Sequence, residues 1–190
     1  MEQTCAEIRN SRTGQRMRFL QTAVDTKEAL LRIESVNPPT GVAEPEHIHP
    51  QQESRAEVIS GTLRFSVDGQ DRRLGPGDTI TIPAGTPHYF VNDGDQDAVS
   101  IQEFRPALRS ADFFTTLFEL AERGKLDKRG MPSLLTLALL GPMYSNEVRA
   151  TSPPWPVQRA AFALLTPIAR LRRHTPDSSP RSRRRRHRPG

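Results

Sequence analysis

Between Gly14 and Arg105 the apolar residues come in short runs that alternate with polar ones, and each run is cut off by glycine, proline, asparagine or aspartate. Met17 and Phe19, then Leu31 and Ile33, then Leu63, Phe65 and Val67 each share one face of an extended chain, because side chains two apart point the same way. Strong turn signals separate the runs: Asn37-Pro-Pro-Thr-Gly41, Asp68-Gly69, Gly75-Pro-Gly77-Asp78 and Asn92-Asp-Gly94-Asp95. Their intervals suit short antiparallel strands closed into a sandwich or barrel, and no helical spacing competes with them. Residues 14–105 are therefore expected to form a mainly β domain, with Gly75 and Gly77 allowing a hairpin turn and Asn92 bonding turn backbone.

After Arg105-Pro106 the period changes. Ser110 is placed to cap a helix whose apolar stripe is Phe113, Phe114, Leu117, Phe118, Leu120 and Ala121, ending before Gly124. Leu134 to Leu140, following Pro132, reads as a short buried helix. Val157 to Leu171 reads as an amphipathic helix that Pro167 should kink or break. No paired carboxylates or clustered histidines occur in these segments, so residues 106–173 are expected to be a helical extension that covers the β domain or a subunit interface. Residues 174–190 hold Arg181, Arg183, Arg184, Arg185, Arg186 and Arg188 against the single acid Asp177, and read as a disordered basic tail.

That tail accounts for the whole net charge of +5, so the remaining residues are balanced and offer no basic face for nucleic acid. The 17 prolines and 12 glycines rule out a long coiled coil. The longest apolar stretches fall short of the roughly 18–20 residues that cross a bilayer. Met1-Glu-Gln-Thr-Cys5-Ala-Glu7 places acids where a secretory leader needs a basic start and an apolar run, which points to a cytoplasmic protein. The lone Cys5 cannot form an internal disulfide. Open sheet edges and apolar helix faces both seek cover, and a homodimer would provide it.

Chemistry concentrates in three of the five histidines. His47-Ile48-His49 puts two imidazoles on one face of an extended strand, about 6.5 Å apart at the backbone, close enough to converge on one ion at roughly 2.0–2.1 Å. His88 follows the rigid turn Pro83-Ala-Gly85-Thr-Pro87, from which an adjacent strand could carry it to the first two. No Gly-x-Ser-x-Gly, Cys-x-x-Cys or His-Glu-x-x-His motif occurs.

Two segments resemble the cupin family. Gly41-Val-Ala-Glu-Pro-Glu-His47-Ile-His49-Pro-Gln-Gln-Glu53, with Gly61 closing the strand, is similar to the first cupin motif. Gly77-Asp-Thr-Ile-Thr-Ile-Pro83-Ala-Gly85-Thr-Pro-His88-Tyr-Phe-Val-Asn92 is similar to the second. The resemblance implies a double-stranded β-helix, or jelly-roll barrel, whose mouth holds a metal bound by three His and one Glu. His47, His49 and His88 match that pattern, but Ser54 occupies the position counted back from Gly61 that the family gives to the glutamate. If Ser54 faces inward, Ala56 and Val58 join it in the core and Glu53, Arg55 and Glu57 face out, the ordinary apolar-in pattern. The opposite register would bury charges at several kcal/mol each. A one-residue irregularity at the strand entrance would instead swing Gln52 or Glu53 toward the metal, so Glu53 stands as the fourth candidate ligand.

Three imidazoles favour Zn, Fe, Ni or Cu over Mg or Ca, with Mn kept as a further candidate, and leave coordination positions for water, dioxygen or substrate. The expected function is a metal-dependent cupin acting on a small organic molecule, with dioxygenase or isomerase chemistry. The alternative is a metal-free or non-catalytic barrel that binds a small ligand.

Overall fold

The computed structural model describes residues 7–128 and 130–172. Cys5 and the arginine tail lie outside the described residues. Eleven strands form two antiparallel sheets: β1 (Glu7–Arg9), β2 (Arg16–Gln21), β3 (Leu31–Asn37), β4 (His47–Ile48), β5 (Glu53–Ser60), β6 (Leu63–Val67), β7 (Gln70–Leu74), β8 (Thr79–Ile82), β9 (His88–Val91), β10 (Ala98–Arg105) and β11 (Arg149–Ala150). One sheet runs β1-β2-β3-β10-β5-β8 and the other β11-β4-β9-β6-β7. The fold is mainly β, as the alternating runs require. Three helices follow β10: α1 (Ser110–Glu122), α2 (Leu134–Met143) and α3 (Trp155–Leu171), with β11 between the last two.

Inward-facing positions of both sheets build the core. Ala56, Val58, Leu63, Phe65, Leu74, Ile80, Ile82 and Ala98 pack as one buried cluster. A second cluster joins Met17, Phe19, Leu31, Ile33 and Phe104 to Phe118 of α1. Burial of a side chain such as Phe118 is worth roughly 1.5–3 kcal/mol, which anchors α1 against the strands. A different face of α1 contributes Leu120 to a third cluster with Leu140 and Tyr144.

Local sequence accounts for most of the turns. Asp68 and Gly69, both at positive φ (50° and 73°), close the β6–β7 hairpin. Gly61 also has positive φ, and a Cβ there would lie 2.6 Å from the Asp97 carbonyl oxygen, so no larger residue fits without movement. Asn92 donates to the carbonyls of Asn37 (2.7 Å) and Gln96 (2.8 Å), the turn-bonding role read from its position.

Several expectations need correction. The Gly75–Asp78 turn is not a hairpin: β7 pairs with β6 and β8 with β5, so the turn carries the chain from one sheet to the other. Ser110 does not cap α1. The N-cap is Arg109, and the Ser110 hydroxyl is committed to the buried Gln52, to which it donates at 3.0 Å. Helix α2 is longer than the apolar run, extending through Pro142, and only Ala138 and Leu140 are buried along it. Helix α3 continues through Pro167 to Leu171, held by 17 residues of helix and by packing on α2.

Candidate metal centre and adjoining chamber

Strand β4 and strand β9 are antiparallel neighbours with His47 directly opposite His88. This register joins the two histidine motifs. The turn before β9 is fastened to the first motif as well, since the Gly85 amide donates to the His49 carbonyl at 2.9 Å. The three rings stand with centroids 4.5 Å (His47 and His88), 5.0 Å (His47 and His49) and 5.1 Å (His49 and His88) apart. One nitrogen from each lies within 4.8 Å of the others.

The protonation pattern follows from the partners. Nδ1 of His47 lies 2.9 Å from the Pro45 carbonyl, Nδ1 of His49 2.6 Å from the Glu147 carbonyl, and Nδ1 of His88 2.8 Å from the Thr86 carbonyl. A carbonyl oxygen only accepts, so each Nδ1 carries the proton and each Nε2 keeps its lone pair. Burial lowers the pKa of all three: His49 to about 3, helped by repulsion from His47 and His88, and His88 to about 4, helped by His47. His47 is shifted in the same direction by burial, opposed by its bond to Pro45 and by the charge of Glu46. At neutral pH the cluster is therefore three uncharged nitrogen donors in fixed tautomers, a set that fits Zn, Fe, Ni or Cu.

The fourth candidate does not join them. Ser54 is 8% exposed and faces the cavity with Ala56, whereas Glu53 is exposed on the other face. The pairing of β5 with β10 is regular at this end, Glu53 opposite Arg105 and Ser54 opposite Phe104. The irregularity that would have been needed occurs at the far end, between Val99 and Ser100, where Ile59 is passed over and turns to solvent.

A cavity of about 480 Å³ opens beside the imidazoles. Its barrel side includes Phe90, Phe104, Ser54 and Gln102, and its other wall is built by α1, α2, β11 and α3. This wall was not foreseen. Strand β11 adds to the sheet at β4, with Ala150 opposite His47, and the carbonyl of Glu147, 98 residues away, fixes His49. Contacts at that separation, through a two-residue strand and a backbone atom, leave no periodic trace in the sequence. Glu44 was also missed. It retains some surface, yet burial pushes its carboxyl up to about 8, against a lowering by a backbone bond from Phe90, so it is held largely protonated at neutral pH. The Glu-Pro-Glu lead into His47 was the one available signal.

Comparison with known proteins places these features in a family. The cupin domain matches residues 35–101. Acireductone dioxygenase of Bacillus mycoides (strain KBAB4) is 38% identical over 64 residues, covering 31% of this chain and 37% of that protein. The Bacillus subtilis (strain 168) enzyme of the same name is 38% identical over 64 residues, covering 31% and 35%. The chain thus spans little more than a third of the length of these relatives. Among solved structures, an RmlC-like cupin from Shewanella frigidimarina is 20% identical with a TM-score of 0.49, covering 58% of this chain and 92% of that one. A Thermotoga maritima protein described as a predicted oxalate decarboxylase is 23% identical with a TM-score of 0.48, covering 55% and 94%. Both histidine motifs lie inside the matched segment and sit on paired antiparallel sheets, so residues 35–101 of this chain are similar to a cupin domain in sequence and in fold.

Proposed function

We propose that the protein binds one divalent transition metal ion through His47, His49 and His88 and acts on a small organic molecule held in the adjoining cavity. The observation that carries this reading is the grouping of the three rings: every Nδ1 is occupied by a backbone carbonyl, which leaves Nε2 free to bind, and one nitrogen from each ring lies within 4.8 Å of the others. Histidines that served only packing would not each need a fixed tautomer. A bound metal would supply Lewis acidity or redox capacity toward an oxygen-bearing substrate. The chain's own contribution is to keep the donors neutral, to exclude water with the apolar wall, and to hold a protonated carboxyl at Glu44 on the cavity surface. Relatives named acireductone dioxygenase make oxygen-dependent chemistry the first activity to assay, with isomerisation second.

Elemental analysis of protein purified without a metal-chelating tag tests the metal. The expected result is about one equivalent of a single transition metal, lost in the His49→Ala variant. Less than about a tenth of an equivalent, unchanged by reconstitution, overturns it. A second reading, a metal-free ligand-binding barrel, is favoured by one observation: Ser54 stands inward where the family places glutamate, and among the described residues the histidine group contains no carboxylate. Equal melting temperatures with and without added Zn or Fe would support that reading, because a bound metal stabilises by mass action.

A further inference from the structure

The wall that the extension adds is mostly apolar although it carries several polar side chains. Thr116 and Tyr144 bond each other through their hydroxyls at 3.1 Å. Gln158 donates to the carbonyls of Ala150 (3.0 Å) and Pro153 (2.6 Å). Arg149 donates from Nε to the Ser145 carbonyl at 2.6 Å and lies over the Trp155 ring, 4.3 Å from its centroid. With these groups bonded to each other or to backbone carbonyls, Phe113, Leu137, Leu140, Trp155 and Phe162 supply the apolar surface that the extension offers to a ligand. The same cavity is lined by the three histidines, and among the described residues their group includes no carboxylate, so the positive charge of a cation held there would be left for a ligand to balance.

We propose that the chamber selects an amphipathic acid or enol, with an oxygen-bearing anionic head at His47, His49 and His88 and a predominantly apolar body against Phe113, Leu137, Leu140, Trp155 and Phe162. The head rests on the metal-site reading above, while the body rests on the chamber alone. The volume of about 480 Å³ lies within the range of small-molecule sites and exceeds what a two- or three-carbon acid would fill. A short hydrophilic substrate would leave the apolar wall wet and unused, whereas an apolar body gains by leaving water.

Trp155 is the sole tryptophan and lines the chamber, so its emission reports occupancy directly. The test titrates acetohydroxamate and octanohydroxamate, which share a chelating head and differ in tail length, into the zinc-loaded and the metal-free full chain. Calorimetry and Trp155 emission are read together. Each buried methylene is worth roughly a three- to fourfold gain, so octanohydroxamate should bind the zinc-loaded protein at least ~100-fold more tightly and alter the emission. Filling the chamber with Ala161→Phe, on the exposed side of α3 at the cavity, should cut that affinity ratio about tenfold. Affinities within about threefold of each other on zinc-loaded protein overturn the proposal and leave the metal site standing. If zinc is not taken up, the metal reading fails by itself. A change in Trp155 emission with octanohydroxamate but not acetohydroxamate in metal-free protein then supports the chamber, and silence from both overturns it.

Discussion

The barrel and the helical extension build the same site by different means. Strands β4 and β9, with His49 immediately after β4, supply the candidate donor atoms, and the antiparallel register of the two strands brings His47 beside His88. The extension supplies no ligand among the described residues, but it supplies the carbonyl that orients His49, the strand that covers the edge at β4, and most of the apolar wall. A cupin barrel can host many reactions, so the donors say little about the substrate. The wall bears on the substrate more than the donors do, and it comes from the region whose sequence carries no motif.

That division predicts where substitutions act. The largest effect should come from the barrel's donors: His88→Ala should weaken metal binding by roughly 10³-fold or more, beyond the roughly 10–100-fold typical of outer partners. Competition with a metal chelator measures it. A loss no greater than that of a substitution in the extension would break the distinction between donor and wall. Next, Gly61→Ala should destabilise the barrel by roughly 2–4 kcal/mol, since its Cβ would meet the Asp97 carbonyl at 2.6 Å in a left-handed backbone. Denaturant unfolding would show it, and a change under about 0.5 kcal/mol would mean that the β5–β6 turn moves freely.

On the extension side, Tyr144→Phe removes one bond to Thr116 and should cost about 1 kcal/mol with metal affinity unchanged. The smallest effect is the sharpest. Glu53→Ala should leave metal affinity within about twofold, whereas a ligand role would lower it as much as loss of a histidine.

The pH dependence of the metal-free protein separates two histidines from a carboxyl that pulls in the opposite sense. Unfolded histidines take protons below about 6.5, while His88 and His49 in the fold resist until about 4 and about 3. Their contribution is therefore complete above the unfolded value and is lost as pH falls toward the folded values. Glu44 is raised to about 8, so its contribution is complete below the unfolded carboxyl value and is lost as pH rises through the folded one. Melting curves should show His88→Gln flattening the acid-side decline and Glu44→Gln flattening the decline between about pH 5 and 8. Parallel curves for wild type and both variants would contradict these assignments.

Legibility in the sequence followed the same line. The strand runs, the Asp68-Gly69 hairpin and the histidine spacing were readable because each is fixed by neighbours a few residues away. The Ser54 register was readable because moving it would have buried Arg55 and Glu57. Ser110 misled because a capping residue and a tertiary hydrogen-bond donor look alike until the partner, Gln52, is known. Pro167 does not break α3, because packing against α2 outweighs the local penalty for proline in a helix. The Glu147 carbonyl had no signal, since a backbone atom carries no residue preference.

Nitrogen-resolved NMR of the histidine side chains during a zinc titration tests the convergence of the three rings most directly. Before zinc, His47, His49 and His88 should each show a protonated Nδ1 and a bare Nε2, and about one equivalent should shift all three Nε2 resonances together. A protonated Nε2 on any of them, or a response confined to one or two rings, would contradict a shared site.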